Sequence, residues 1–470
     1  MTRYEINNPS NGYAPHWKGT KEYIEDITYR IWEQGDIDFI KDTYAKTCPI
    51  FTLASCFDDC DVVVKNTKSV LSIFPDRTLY PEDILWNGDN GNPCIHPNEE
   101  DAYKNVKGYH SSHLINSRMT YRHPDDDGSK RDEYSHSDFS FSANGKRARI
   151  WVIAHCIIRD GVIVREWLVR DNLYLFEQLG VCPVDIAKKW ATKWIREYKM
   201  ARSTKDDLNL SHYGWLLTEF DRVQSLQSSA SKNVDIDLQN IFPVTRRGCC
   251  SILGNYIAQK FKKIWGKEGM ASKEKFGELL RELYHPHARF DSPQNHDIVG
   301  HMEIESLYDS FVLGNRKGES IAMSVDWTIV KPQDEWRQGD ECMMGEPKNG
   351  IWKNGNGKTT NAWVYPYASD VDIKKDLIKN FELQNGNACH EGGLVDPERY
   401  TVAIRWTLVG CQKQMEQENT PDSISSIPVV LLAESHLRCV GIRVCHEITV
   451  YDAVAVQAQI EVGKQLLSNK

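Results

Sequence analysis

The stretch "HCIIRDGVIVREWLVRDNLYLFEQL", residues 155–179, returns in layout as "HLRCVGIRVCHEITVYDAVAVQAQI", residues 436–460. Few residues are identical, yet His155, Glu166, Asp171 and Gln178 have the same spacing as His436, Glu447, Asp452 and Gln459. Both copies read H-x10-E-x4-D-x6-Q. Each reads as a β-hairpin. "ARIWVIAHCII" and "VIVREWLV" are rich in β-branched and aromatic residues, and "RDG" between them is a turn signal. The second copy has "PVVLLAESHLR" and "IRVCHEITVYD", with Gly441 in the turn.

The repeat extends outward from this hairpin. "YIEDITYRIWEQG" (23–35) and "YIAQKFKKIWGKEG" (256–269) share Tyr, Ile, Ile and Trp at equal spacing. Ile24, Ile27 and Ile31 recur along one helical face, as do Ile257, Phe261 and Ile264. Each repeat therefore opens with an amphipathic helix and closes with the hairpin, which predicts α+β units in tandem. The expected boundaries are 1–182 for the first domain, 183–250 for a helical connector and polar linker, and 251–470 for the second domain. The second carries a large insertion at about 333–398. Loops this long are often functional.

The chain has 470 residues, room for two or three domains with cores of their own. Its 57 basic and 66 acidic residues give a net charge of -9, which argues against a nucleic-acid footprint. No run of about eighteen apolar residues suggests a membrane span, and the N-terminus lacks the apolar core of a signal peptide. A cytoplasmic location is the resulting expectation. The 13 cysteines are scattered in apolar runs and read as buried thiols.

Several segments resemble the nuclear transport factor 2-like superfamily (cystatin-like fold), in its SnoaL-like polyketide cyclase branch. They are "RIWEQGD", "ILWNGD" with "GYHSSHLI", "SFSANGKRARIWVIAH" and "GVIVREWLVRDNLYLFEQLG". In the second half they are "LLRELYHPHARFDSPQNHDIVGHMEI" and "YTVAIRWTLVG". The resemblance spans about residues 20–180 and 250–465. It implies two tandem cone-shaped repeats, each a curved antiparallel sheet wrapped by helices around a pocket. It also implies cofactor-independent chemistry, with an acidic residue near the end of the last strand as acid/base. The matching positions are Asp171 and Asp452. The second copy has "HEITVYD" where the first has "REWLVRD", so the Trp is lost and the two pockets are not expected to act alike.

The residues themselves allow the same chemistry and a plainer reading. On a regular strand Trp167, Val169 and Asp171 share a face, and Glu166 points the other way. Beside a Trp, Asp171 would be partly desolvated and suited to moving protons. Alternatively it caps the helix "NLYLFEQL". His155, in an apolar strand, is either a core residue or the acid/base partner of Asp171. His136 is a further catalytic candidate. Trp167, His113, Arg118, Asp138 and Trp32 are candidate substrate contacts, with Asp452, His436 and Glu447 the second-repeat counterparts. Trp151, Trp265, Trp327 and Trp406 read chiefly as core.

No metal is expected. "CFDDC", "YHPHARFD" and "NACHEGG" lack the spacing that makes a zinc signal strong. "GNGKTT" lacks the order of a phosphate loop, and no dinucleotide fingerprint occurs. The expected function is acid/base catalysis on a small organic molecule without a cofactor. The rivals are a ligand-binding or scaffold protein and a metal-dependent hydrolase. The open sheet face offers a surface for pairing, within the chain or in a homodimer.

Overall fold

The computed structural model describes residues 17, 19–86, 109–122, 144–204, 211–226, 252–293, 295–310, 321–332, 352–353, 359–360, 399–413 and 426–468. The first repeat begins with α1 (Thr20–Trp32), α2 (Ile40–Thr43), β1 (Thr47–Phe51), β2 (Cys56–Asp59) and α3 (Cys60–Ile73). It continues with β3 (Thr78–Trp86), β4 (Tyr109–Thr120), β5 (Arg147–Arg159), β6 (Val162–Arg170) and α4 (Asn172–Leu179). The connector contains α5 (Pro183–Thr204) and α6 (His212–Leu226). The second repeat starts with α7 (Ile252–Trp265), α8 (Lys273–Leu283), β7 (Tyr284–Ser292), β8 (Asn295–Val299), α9 (His301–Ser310) and β9 (Ala322–Pro332). A short pair, β10 (Trp352–Lys353) and β11 (Thr359–Thr360), lies within the insertion. The chain closes with β12 (Arg399–Lys413), β13 (Ser426–Val440), β14 (Arg443–Tyr451) and α10 (Ala453–Ser468).

Each repeat is an α+β unit built on a six-stranded sheet. The strand orders β2-β1-β6-β5-β4-β3 and β8-β7-β14-β13-β12-β9 are the same arrangement twice. The sheets are mixed, which corrects the expectation of purely antiparallel ones. β1 pairs parallel with β6, and β7 pairs parallel with β14, because each entry strand returns to the closing hairpin across an intervening set of elements.

The opening motif decodes position by position. The hairpin turn in the first repeat places Asp160 and Gly161 at φ 51° and 75°, the left-handed region that tight hairpins require. Gly441 at φ 56° serves the second. Asp171 Oδ1 accepts from the Tyr174 amide at 3.0 Å, and Asp452 Oδ1 from Ala455 at 3.0 Å, so each Asp caps the helix that follows. Gln178 reaches back to the neighbouring strand, accepting from Arg149 N at 2.9 Å and donating to Arg149 O at 2.9 Å. Gln459 makes the same reciprocal pair with Val430, at 2.8 Å each way. The Gln amide thus extends the sheet ladder by one peptide equivalent and pins the closing helix to it.

Both faces of each sheet are buried. On β5, Ile150, Val152, Cys156 and Ile158 point to the repeat's own helices, packing with Tyr23, Ile27 and Ile31 of α1 and with Leu175 and Leu179 of α4. Trp151, Ile153 and, on β6, Val169 point the opposite way, into a core shared with the second repeat. The repeats therefore pair within one chain, sheet against sheet. The connector joins this core: α5 lies along α10, and α6 crosses β9, β12 and β13. Ile186, Trp194, Leu216 and Val223 are its buried contributions. Of the expected connector and linker, residues 205–210 and 227–250 lie outside the described residues, as does most of the insertion. No helix among the described residues is long and apolar enough to cross a membrane.

The Gln clamp gives a direct test. Gln459 is fully buried, so Gln459→Ala strands the Val430 amide and carbonyl away from water. It should lower the unfolding free energy by about 1–3 kcal/mol. Gln178→Ala should cost less, because the bonds it makes to Arg149 are near solvent. Urea denaturation of the two variants measures the difference, and equal losses would remove the clamp from the account.

Candidate active site

Strand alternation holds along β6, and it divides the expected site between two environments. Glu166 points to the helices, while Trp167 points to the seam between the sheets. His155 sits opposite Trp167 in the β5–β6 ladder and shares the seam face. Asp171, 1% exposed, is at the seam as a helix cap, with His296 Nε2 of the second repeat 3.6 Å from its free oxygen. Its carboxyl is raised well above the usual range, first by burial. Asp452 lies across from it, where Asn172 Nδ2 donates to Asp452 Oδ2 at 2.5 Å. The pocket expected around Asp171, His155 and Trp167 is therefore a contact between repeats. These three residues do not share a chamber with the helix-side residues.

The seam is polar at its centre. Arg405 Nη1 lies 2.6 Å from His155 Nδ1, and His155 Nε2 lies 3.0 Å from His110 Nδ1. A guanidinium only donates, so His155 Nδ1 accepts and its proton resides on Nε2, which donates to His110. His155 is stacked on Trp327 at 4.1 Å and Trp167 at 5.1 Å, and the Arg405 guanidinium sits 3.5 Å over the Trp167 ring. Beside this stack Ser112 Oγ donates to Glu434 Oε1 at 2.7 Å and contacts His436 Nε2 at 2.8 Å. When Glu434 is ionised the hydroxyl proton goes to it, and His436 is then the donor to Ser112. The set contains serine, histidine and carboxylate, but the proton direction is the reverse of a nucleophilic triad, where histidine accepts from serine. Asp83 Oδ2 lies 3.9 Å from His436 Nδ1. A further pair, His446 Nε2 with Asp291 Oδ2 at 2.9 Å, is likewise buried.

The helix side holds the other chemistry. In the first repeat Tyr44 donates to Glu166 Oε2 at 3.1 Å. Burial pushes the Glu166 carboxyl up to about 7, against the opposing pull of Tyr44 and Arg170. Burial, then the Glu166 charge, raises the Tyr44 phenol and keeps it protonated. Cys48 and Cys156 line the same region, and burial raises both, leaving them as inert thiols. The second repeat repeats the pair. Tyr284 donates to Glu447, Thr449 bonds the other carboxylate oxygen, and burial lifts Glu447 to about 7. Tyr44 and Tyr284 are in register with Ile163 and Val444, positions that correspond in the two hairpins.

The two interiors differ in filling. Around Glu447, Trp265, Phe290, Leu307, Trp406 and Tyr451 close to a cavity of about 10 Å³, room for a single water. Trp265 Nε1 reaches Tyr284 OH at 3.3 Å. In the first repeat Trp32 lies between the two helix-side clusters. His113, in register with Ala154 and Ile84, is buried and pushed down to about 3 by burial, so it is neutral. Arg118 is exposed and stacked 4.9 Å over Tyr80, away from both interiors. His136 and Asp138 lie outside the described residues. Cys48, Cys60, Cys156 and Cys439 are buried free thiols. Among the described residues no three His, Cys, Asp or Glu side chains converge as metal ligands.

Sequence reading passed over Tyr44, Ser112, Arg405, Glu434 and the His446–Asp291 pair. For Glu166 the signal was present, because it recurs as Glu447 and alternation placed it opposite Trp167. The remainder have partners far away in the chain, which spacing does not reveal.

Three buried glutamates, among the raised carboxyls, contribute to a pH dependence. Glu166, Glu434 and Glu447 are each lifted from the ordinary 4.5 to about 7. Between those values the folded chain holds protons that the unfolded chain releases. Their contribution to stability therefore falls as pH rises from about 4.5 to about 7 and levels off above, while buried histidines held neutral, His113 among them, act in the opposite sense below about 6.5. Each carboxyl contributes at most about 3 kcal/mol to that fall. Glu447→Gln should flatten the slope by one proton in urea titrations across this window. The parent slope in the variant would count against a raised Glu447.

No family model matches the sequence, and no curated protein matches it. Similar solved structures exist. IdmH of Streptomyces antibioticus, assigned as a polyketide cyclase, is 19% identical with a TM-score of 0.25, covering 34% of this chain and 98% of its own. TsrD of Streptomyces laurentii is 14% identical with a TM-score of 0.24, covering 34% and 95%. A protein of Shewanella putrefaciens assigned as a SnoaL-like polyketide cyclase is 8% identical with a TM-score of 0.23, covering 34% and 95%. The likeness is thus to proteins the length of one repeat, nearly whole, and among them are proteins assigned to the SnoaL-like polyketide cyclases.

Proposed function

We propose that the first repeat is a cofactor-independent acid/base catalyst for a small organic molecule, with Glu166 moving the proton and Tyr44 as its hydrogen-bond partner. One observation carries this reading: a buried carboxyl, 3.1 Å from a phenol and pushed up to about 7. Near neutral pH such a group is part acid and part base, so it can take a proton from one atom and return it to another. Tyr44, held neutral, can donate to an oxygen on which charge develops. This chemistry serves cyclisation, isomerisation, hydration or elimination, and hydrolysis. His113 and Trp32 are the candidate contacts on this side. The second repeat is its structural partner, its interior filled by aromatic rings.

A second reading, a non-catalytic scaffold or ligand-binding protein, is favoured by a different observation. The same Tyr–Glu pair recurs beside a cavity that takes one water, where packing alone accounts for it. The variants separate the two readings. In a mass-spectrometric screen of lactones, β-keto esters and aromatic carboxylates, Glu166→Gln should reduce turnover by about 10²–10⁴-fold with the fold retained. Asp171→Asn, which preserves the cap, and Glu447→Gln should turn over at the parent rate. Undiminished turnover in Glu166→Gln would defeat the catalytic reading, and a folded parent that converts nothing favours the scaffold.

A further inference from the structure

The repeated glutamate has a cation beside it in one repeat and none in the other. In the first repeat Arg170 follows Glu166 by four residues, on the same face of β6. Burial raises the Glu166 carboxyl, and Tyr44 and the Arg170 charge pull against it. In the second repeat the residue four after Glu447 is Tyr451. Glu447 is 1% exposed, and among the described residues no cationic side chain pairs with it.

The hydrogen bonds of Glu447 all point toward it. Tyr284 and Thr449 each donate to one carboxylate oxygen. An indole N–H can only donate, so Trp265 Nε1 donates to Tyr284 OH at 3.3 Å and Trp406 Nε1 to Ser435 Oγ at 3.0 Å. Ser435, accepting from Trp406, can donate to Thr449, which donates to Glu447. Two donor chains thus end on the carboxylate, and neither offers an acceptor for a carboxylic proton. The hydrogen bonds favour the anion, while burial disfavours it.

Beside this carboxylate is the cavity of about 10 Å³. Strand alternation assembles it. Glu447, Thr449 and Tyr451 share one face of β14, and Phe290, in register with Glu447, shares the adjoining face of β7 with Ser292. Trp265 and Trp406 complete the lining. An anion among aromatic rings is an environment for a cation, which both attract.

We infer that this cavity is a binding site for one ammonium ion, which supplies beside Glu447 the charge that Arg170 supplies beside Glu166. Ammonium is about the size of water, which is what the cavity takes. It can donate to Glu447 and turn its other N–H groups to the aromatic walls. Potassium, of similar size, is held by shells of oxygen ligands, and only part of this lining carries oxygen. Tetramethylammonium suits aromatic cages but exceeds the space of one water. The site is independent of any turnover at Glu166.

Urea denaturation of the intact protein near pH 8, where Glu447 is ionised, tests the site in ammonium, potassium and tetramethylammonium chlorides at equal concentration. At about 0.1 M salt and a dissociation constant of about 10 mM, ammonium should raise the midpoint by roughly 0.3 M over tetramethylammonium. Potassium should give less than about half that increment. The ammonium increment should vanish in Glu447→Gln, which removes the charge. It should shrink in Phe290→Leu, which keeps an apolar side chain and removes a ring, and which serves if Glu447→Gln does not fold. A cavity that takes only water predicts equal midpoints in ammonium and tetramethylammonium. That result, an equal increment from potassium, or an undiminished ammonium increment in Glu447→Gln or Phe290→Leu would each overturn the proposal.

Discussion

The fold depends on covering a second sheet face. A six-stranded sheet with helices on one side still presents a broad apolar surface on the other. Here Trp151, Ile153 and Val169 of one sheet need the buried apolar residues of the second repeat to leave water. At about 25 cal/mol per Å² such burial is the principal stabilising contribution available to the pair. The polar set at its centre fixes the alignment. Ser112 must meet Glu434 and His436, and His155 must meet Arg405, so a slide of one sheet over the other leaves buried donors and acceptors unmatched.

The sequence carried the architecture well. The recurring H…E…D…Q spacing located both closing hairpins, and helical periodicity located α1 and α7. Alternation along β6 separated Glu166 from Trp167. It did not say which face belongs to the helices, because β5 is apolar on both sides and so gives no polar face to exclude. That ambiguity put the pocket around Asp171 and His155, which lie at the seam, whereas Glu166 and Tyr44 lie on the helix side. The Asp reads as a cap in both copies for a simple reason: it is the last residue before a helix and its amide partner is three residues on. Arg405 and Glu434 had no local signature, since their partners His155 and Ser112 lie hundreds of residues away.

The two interiors start from one plan and diverge in content. Both hold a Tyr–Glu pair under an amphipathic helix that ends in Trp. In the second, Trp265 turns its indole nitrogen onto the tyrosine and the space fills with rings. In the first, Trp32 lies under Arg77, and Arg170 and the thiols Cys48 and Cys156 lie near the carboxyl. Burial alone lifts both glutamates to about 7, so a shifted carboxyl by itself does not distinguish them. The surroundings do.

Pairing within one chain has a consequence for what the seam can contain. In a homodimer built through the same faces, a twofold axis would set every residue opposite its own copy's surroundings, and a charge added once would appear twice. Arg405 occupies the place in β12 that Leu114 occupies in β4, as the register of Ala403 with His436 and of Ser112 with His155 establishes. Tandem duplication frees each face from being complementary to itself. An arginine can then be acquired on one sheet and answered by a histidine on the other, with no second copy of either to accommodate.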